Sequence, residues 1–126
     1  MHVQNAHTYW TIEGDVALVG FHYSGFRPLA DYDEVARELS ALAEEEGLSA
    51  VVLNLQAYEH LPSRFLGVMV ALQKELAERG CTLAACRLRP EPQRVFEMAR
   101  LDELIPEYTT EDEAREALGR WRGNDE

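Results

Sequence analysis

Apolar residues thicken along Tyr9-Trp10-Thr11-Ile12 and Val16-Ala17-Leu18-Val19-Gly20-Phe21, with Glu13-Gly14-Asp15 between the two runs. Two short apolar segments around a polar triplet with a glycine predict a β-hairpin. The next segment, Tyr23 to Ala30, carries Gly25 and Pro28 and reads as a loop. From Asp31 the period changes: Tyr32, Val35, Leu39 and Leu42 recur at helical spacing, Asp31 and Glu34 resemble a capping box, and Gly47 supplies a stop. This predicts a helix over 31–46. Ala50 to Leu55 is almost uninterrupted apolar sequence, as in a strand covered on both faces.

A second helix is predicted over 63–79, with Phe65, Met69, Leu72 and Leu76 as its core stripe and Gly80 as its stop. Thr82 to Cys86 reads as another strand, and Pro90 and Pro92 mark the start of a third helix running to Arg100. Leu104 to Tyr108 suggests a short edge strand. Thr110 and Glu113 then form a second capping-box pattern before a stripe of Ala114, Ala117, Leu118 and Trp121. The alternation predicts one α/β domain over 1–126, with its core at about 9–121. Helices would pack on a mixed sheet of four to five strands.

Composition narrows the function classes. The 126 residues carry 12 basic and 23 acidic side chains, a formal charge of −11, which opposes binding to phosphate backbones and suits a basic partner surface. Nucleic acid is therefore not an expected partner. No apolar run reaches the ~20 residues of a membrane span, and Met1 to Asn5 lack a signal-peptide pattern. A cytoplasmic location is the expectation. Cys81 and Cys86 sit an odd number of residues apart around one predicted strand, so they should face opposite ways as free thiols.

The residues from Val51 to Val70 carry a resemblance to a known family. An apolar strand (Val51-Val52-Leu53-Asn54-Leu55) leads through a polar loop into Pro62-Ser63-Arg64-Phe65-Leu66-Gly67 at a helix start. Further on come Leu76-Ala77-Glu78-Arg79-Gly80-Cys81-Thr82-Leu83 and Leu101-Asp102-Glu103-Leu104-Ile105-Pro106. The ordered set, from about Tyr9 to Leu118, resembles the STAS domain of bacterial anti-sigma factor antagonists. The family motif is Asp-Ser-Ser-Gly-Leu-Gly-like; Ser63, Leu66 and Gly67 match it. Pro62 replaces an acidic residue, Arg64 and Phe65 add bulk to the loop, and Arg100 stands where a glycine is usual.

The resemblance implies a STAS-like α/β fold and a non-catalytic protein-binding module without a cofactor. It implies phosphorylation at Ser63 by an anti-sigma factor that is a serine-protein kinase of the GHKL ATPase type. The expected partner face comprises His60, Pro62, Ser63, Arg64, Leu66, Gly67, Val70 and Lys74. Two alternatives stay open: a phosphorylation-independent STAS scaffold, and a small-ligand or anion sensor using Arg87, Arg89 and Arg94.

Each residue also has a plainer reading. Ser63 at a helix start can act as an N-cap. Arg87, Arg89, Arg94 and Arg100 can pair with acids such as Glu91 and Glu97. His60, three residues before Ser63, suggests a base beside a nucleophile, but there is no GxSxG elbow and no evident orienting group. A solvent-facing loop histidine is the simpler expectation. His2, His7 and His22 show no metal-ligand spacing among themselves or with the cysteines.

Overall fold

The computed structural model describes residues 1–24, 27–28 and 31–120. Strands β1 (His2–Gln4), β2 (Thr8–Glu13) and β3 (Val16–Phe21) form an antiparallel meander. A small ladder of β4 (Tyr23–Ser24) and β5 (Arg27–Pro28) precedes helix α1 (Tyr32–Ala43). Strand β6 (Ala50–Asn54), helix α2 (Ser63–Glu78), strand β7 (Thr82–Cys86) and helix α3 (Pro90–Met98) follow. A 3-10 turn (Leu101–Glu103), strand β8 (Glu107–Tyr108) and helix α4 (Glu111–Leu118) complete the described chain.

The main sheet has the order β1-β2-β3-β6-β7-β8, antiparallel in its first half and parallel from β3 onward. It is therefore mixed, as predicted, but has six strands among the described residues rather than four or five. The additional strand is β1, whose three residues contribute only a half-buried Val3 to the core. That single apolar side chain leaves no periodic signal.

The turn between β2 and β3 forms at Gly14, whose φ of 63° suits glycine. In β6 and β7 successive side chains enter different cores. Val51, Leu53, Leu83 and Ala85 join α1 and α2 in the larger one, while Ala50, Val52, Ala84 and Cys86 join Ala114 of α4 in the smaller one. This accounts for the continuous apolar sequence of β6. Helix α2 buries Phe65, Met69, Leu72 and Leu76, each worth roughly 1.5–3 kcal/mol. In α4 only Ala114 of the expected stripe is fully buried; Leu118 is half-buried, Ala117 is exposed, and Trp121 lies outside the described residues. The cysteines are free and buried, with Cys81 in the larger core and Cys86 in the smaller.

Candidate functional site at the start of helix α2

Asn54 closes β6 and begins a tight polar turn, its side-chain oxygen accepting the Gln56 N–H at 2.9 Å. Leu55, Tyr58 and Leu61 are buried, so every third residue of the loop is an apolar anchor. Tyr58 packs against Phe65 with ring centroids 4.6 Å apart, and Phe65 stacks with Tyr32 at 5.5 Å. Tyr32 and Tyr58 share a side-chain hydrogen bond. Burial, together with Tyr32, pushes the Tyr58 phenol far above its ordinary value, so it is neutral. Phe65 has no exposed surface. Its bulk therefore fills the core under the loop instead of crowding the loop, which corrects the sequence expectation.

The N-cap of α2 is Pro62, not Ser63. Its carbonyl accepts the N–H groups of Phe65 and Leu66 at 3.0 and 3.1 Å, and no side chain caps the helix. Ser63 is the first helical residue; its hydroxyl is exposed and bonds to no described residue. The capping role read for Ser63 is thus overturned, because capping needs the extended backbone that Pro62 occupies at φ −65°, ψ 151°.

The first turn of α2 also lacks acidic residues. By contrast, α1 has an Asp31 cap with Asp33 and Glu34, and α4 has a Thr110 cap with Glu111, Asp112 and Glu113. The positive end of the α2 dipole is left uncompensated by side-chain charge in its own first turn.

Around Ser63, Leu66 and Val70 are half-buried, and Pro62, Arg64, Gly67 and Lys74 are exposed. A Cβ built on Gly67 would meet nothing within 4 Å, so this glycine leaves a shallow, open stretch of helix surface. Arg64 reaches Asp33 of α1 at 2.9 Å. The exposed His60 pairs through Nδ1 with Glu91 at 2.7 Å, an orienting acid the sequence did not reveal, but no hydrogen bond joins it to Ser63.

Three of the four arginines already have acidic neighbours, although not the acids the sequence suggested. Arg87 Nε donates to Glu111 at 2.9 Å, Arg89 bonds the Gln56 carbonyl at 2.8 Å and Glu59 at 3.5 Å, and Arg100 lies 3.9 Å from Glu103. Arg94 is exposed on α3. Burial tends to raise the Glu111 carboxyl, but hydrogen bonds from its own backbone, Arg87 and Asn54 hold it below the ordinary value. Arg87 lines a cleft of about 490 Å³ that also carries Gln56, Gln93, Glu107 and Glu113. The Glu107 carboxyl is raised by burial and by Glu97 and Asp102.

Sequence spacing gave no sign of a cluster at the β1–β2 turn, at the same end of the sheet as the α2 start. His7, Glu34 and Glu38 place potential ligand atoms within 4.8 Å of one another. Glu38 is occupied, however: it accepts Thr8 N–H at 2.9 Å, Thr8 Oγ1–H at 2.7 Å and His7 N–H at 3.2 Å, and lies 3.1 Å from His7 Nδ1. Glu34 is paired with Arg37. The group ties the β1–β2 turn to α1. Only its i, i+4 carboxylates were visible in sequence; the β1–β2 turn brings His7 to them.

The STAS domain family model matches residues 12–114. The chain belongs to the STAS domain family. It is 26% identical over 79 residues to an anti-sigma F factor antagonist of Paenibacillus polymyxa, covering 63% of this chain and 68% of that one. An anti-sigma-factor antagonist (STAS) domain protein of Planctomyces limnophilus has a similar structure, with a TM-score of 0.78 at 24% identity, covering 90% of this chain and 98% of that one. The Bacillus cell fate determinant SpoIIAA in its phosphorylated form is more distant, with a TM-score of 0.63 at 14% identity and coverage of 85% and 94%. No described helix is long and apolar enough to cross a membrane. Arg100, where the sequence resemblance implies a glycine, has φ 58°, the left-handed conformation that glycine adopts freely.

Proposed function

We propose that this STAS domain is a cytoplasmic anti-sigma factor antagonist that works by binding rather than catalysis, with Ser63 as its phosphoacceptor. Its partner is an anti-sigma factor with GHKL-type serine kinase activity, which docks on the loop through His60 and on α2 through Pro62, Arg64, Leu66, Gly67, Val70 and Lys74. The observation that carries this reading is the exposed Ser63 hydroxyl, bonded to no described residue, at the start of α2, which no side chain caps. Half-buried Leu66 and Val70 beside it offer apolar contact, and open Gly67 allows close approach. The described relatives and the phosphorylated form of SpoIIAA support the same reading.

A phosphate at Ser63 brings roughly −1.5 to −2 charges. The α2 N-terminus favours that charge within the chain, whereas a closed partner interface must desolvate it. Phosphorylation therefore weakens the complex. The test is incubation with the native anti-sigma factor and ATP, followed by phosphopeptide mapping and affinity measurement. Phosphorylated protein and Ser63→Asp should bind at least about tenfold more weakly, a loss of about 1.4 kcal/mol, while Ser63→Ala binds normally. Equal affinity of the modified and unmodified forms refutes the switch. Binding with no modification of Ser63 leaves the scaffold reading.

A further inference from the structure

Helix α4 is held differently from the rest of the fold. It has eight residues, too few to be stable alone, and Ala114 is its fully buried side chain. The buried sheet patch beneath it is made of small residues, Val16, Ala50, Val52, Ala84 and Cys86, with only partly buried Leu18, Tyr108 and Leu118 packed against them. Apolar burial therefore contributes little here compared with the four large side chains under α2. Polar ties supply much of the attachment. Glu111 accepts from Arg87 and Asn54, Arg115 reaches Glu13 at 3.0 Å, and the Arg120 N–H donates to Asp15 at 2.7 Å.

Asn54 connects this helix to the functional loop. Its amide nitrogen holds Glu111, while its oxygen holds the Gln56 N–H, the first turn of the loop leading to Ser63. Arg87, the other donor to Glu111, has a left-handed backbone with φ 56°, a conformation that costs a non-glycine residue and persists where contacts hold it. Leu55 N–H also bonds the Cys86 carbonyl at 3.1 Å, so the loop, the end of β7 and α4 meet at one junction.

We propose that α4 is a latch: it opens from the sheet as a unit, and the Glu111 carboxylate couples that opening to the loop carrying the docking face. Displacement of the loop by a partner strains the Asn54–Glu111 bond and loosens α4. Conversely, release of α4 frees the Gln56 turn. The motion belongs to the low-stability end of local unfolding, where few apolar contacts must break. It rests on the proposed function only for the importance of the loop, and it is tested on the isolated chain with neither kinase nor partner.

The two thiols report the motion without added probes. Cys86 lies under α4, and Cys81 belongs to the larger core on the opposite face. Site-resolved iodoacetamide labelling by mass spectrometry should show Cys86 labelled roughly tenfold or more faster in Glu111→Gln than in the wild type, the scale of one lost charge-assisted hydrogen bond. The Cys81 rate should stay unchanged. Hydrogen exchange of the Gln56 amide should accelerate in the same variant, and Asn54→Ala should speed Cys86 labelling in turn. If Cys81 and Cys86 accelerate together, the event is global unfolding and the latch is wrong. If Cys86 alone accelerates while the Gln56 amide is unaffected, α4 is not coupled to the loop and the proposal fails.

Discussion

Replacing Glu38 by alanine removes a carboxylate that organises the start of β2. Thr8 is fully buried, and both its N–H and its hydroxyl donate to Glu38, at 2.9 and 2.7 Å. The N–H faces away from the β3 ladder, so alanine strands two buried donors. Leaving a buried donor unsatisfied costs about 1–3 kcal/mol. Two of them give about 2–6 kcal/mol, and access of water past half-buried His7 places the expected loss near 3 kcal/mol. For a chain of this size that lowers Tm by about 10 °C.

Urea unfolding at pH 7 measures the loss directly. Its pH dependence gives an independent check. Burial would raise the Glu38 carboxyl, but bonds from Thr8 and His7 outweigh it and leave it below the ordinary value. A depressed folded value means that the stabilisation is complete above the unfolded carboxyl range, near pH 4.3. It declines as pH falls through the lower folded value. The wild-type advantage over Glu38→Ala should therefore shrink as pH falls below about 4.5. A Thr8→Val, Glu38→Ala double variant should recover part of the loss, since it removes one stranded donor. A single-variant loss under about 1 kcal/mol, or a difference that does not change down to pH 3, refutes this account of the cluster.

Leu53 is fully buried in β6, so Leu53→Ala should cost about 2–5 kcal/mol in urea unfolding while leaving the far-UV spectrum unchanged. Arg100→Gly should raise stability by up to about 1 kcal/mol, because relief of the left-handed conformation exceeds the added chain entropy and the 3.9 Å pair with Glu103 is solvent-exposed. A lower urea midpoint for the glycine variant would show that Arg100 makes a contact outweighing its backbone strain.

Much of the fold was legible because its signals are local. The β2–β3 hairpin, the capped start of α1, the continuous β6 run and the α2 stripe all follow from spacing and residue type, and each forms where the sequence places it within a few residues. What escaped depends on contacts between distant segments. Strand β1 exists because β2 offers it a partner, with the Ile12 N–H bonding the Met1 carbonyl at 2.8 Å. Glu111 and Asn54 are 57 residues apart, and their association depends on the crossover that lays α4 over β6. The same applies to His7 and Glu38, 31 residues apart. Charge pairing was the least legible feature: the sequence offers 23 acids to 12 bases, and only the fold decides which acid each arginine meets.

Pro62 illustrates how a departure from the family motif can be misread without the backbone. In sequence it removes an acidic side chain beside Ser63, which suggests a damaged phosphosite. In the structure it occupies the N-cap position, where an acidic side chain would accept a first-turn N–H. Proline cannot do this, and no nearby acid takes over, so the first turn of α2 is left with donors facing solvent. A phosphate on Ser63 would lie beside those donors and beside Arg64, supplying the negative charge this helix end lacks. Under the proposed phosphorylation of Ser63, the anion at this helix end would be a reversible one. Phosphorylation of this chain should then stabilise the α2 start within the protein while obstructing the face it presents, so the two effects of one phosphate oppose each other across the same turn of helix.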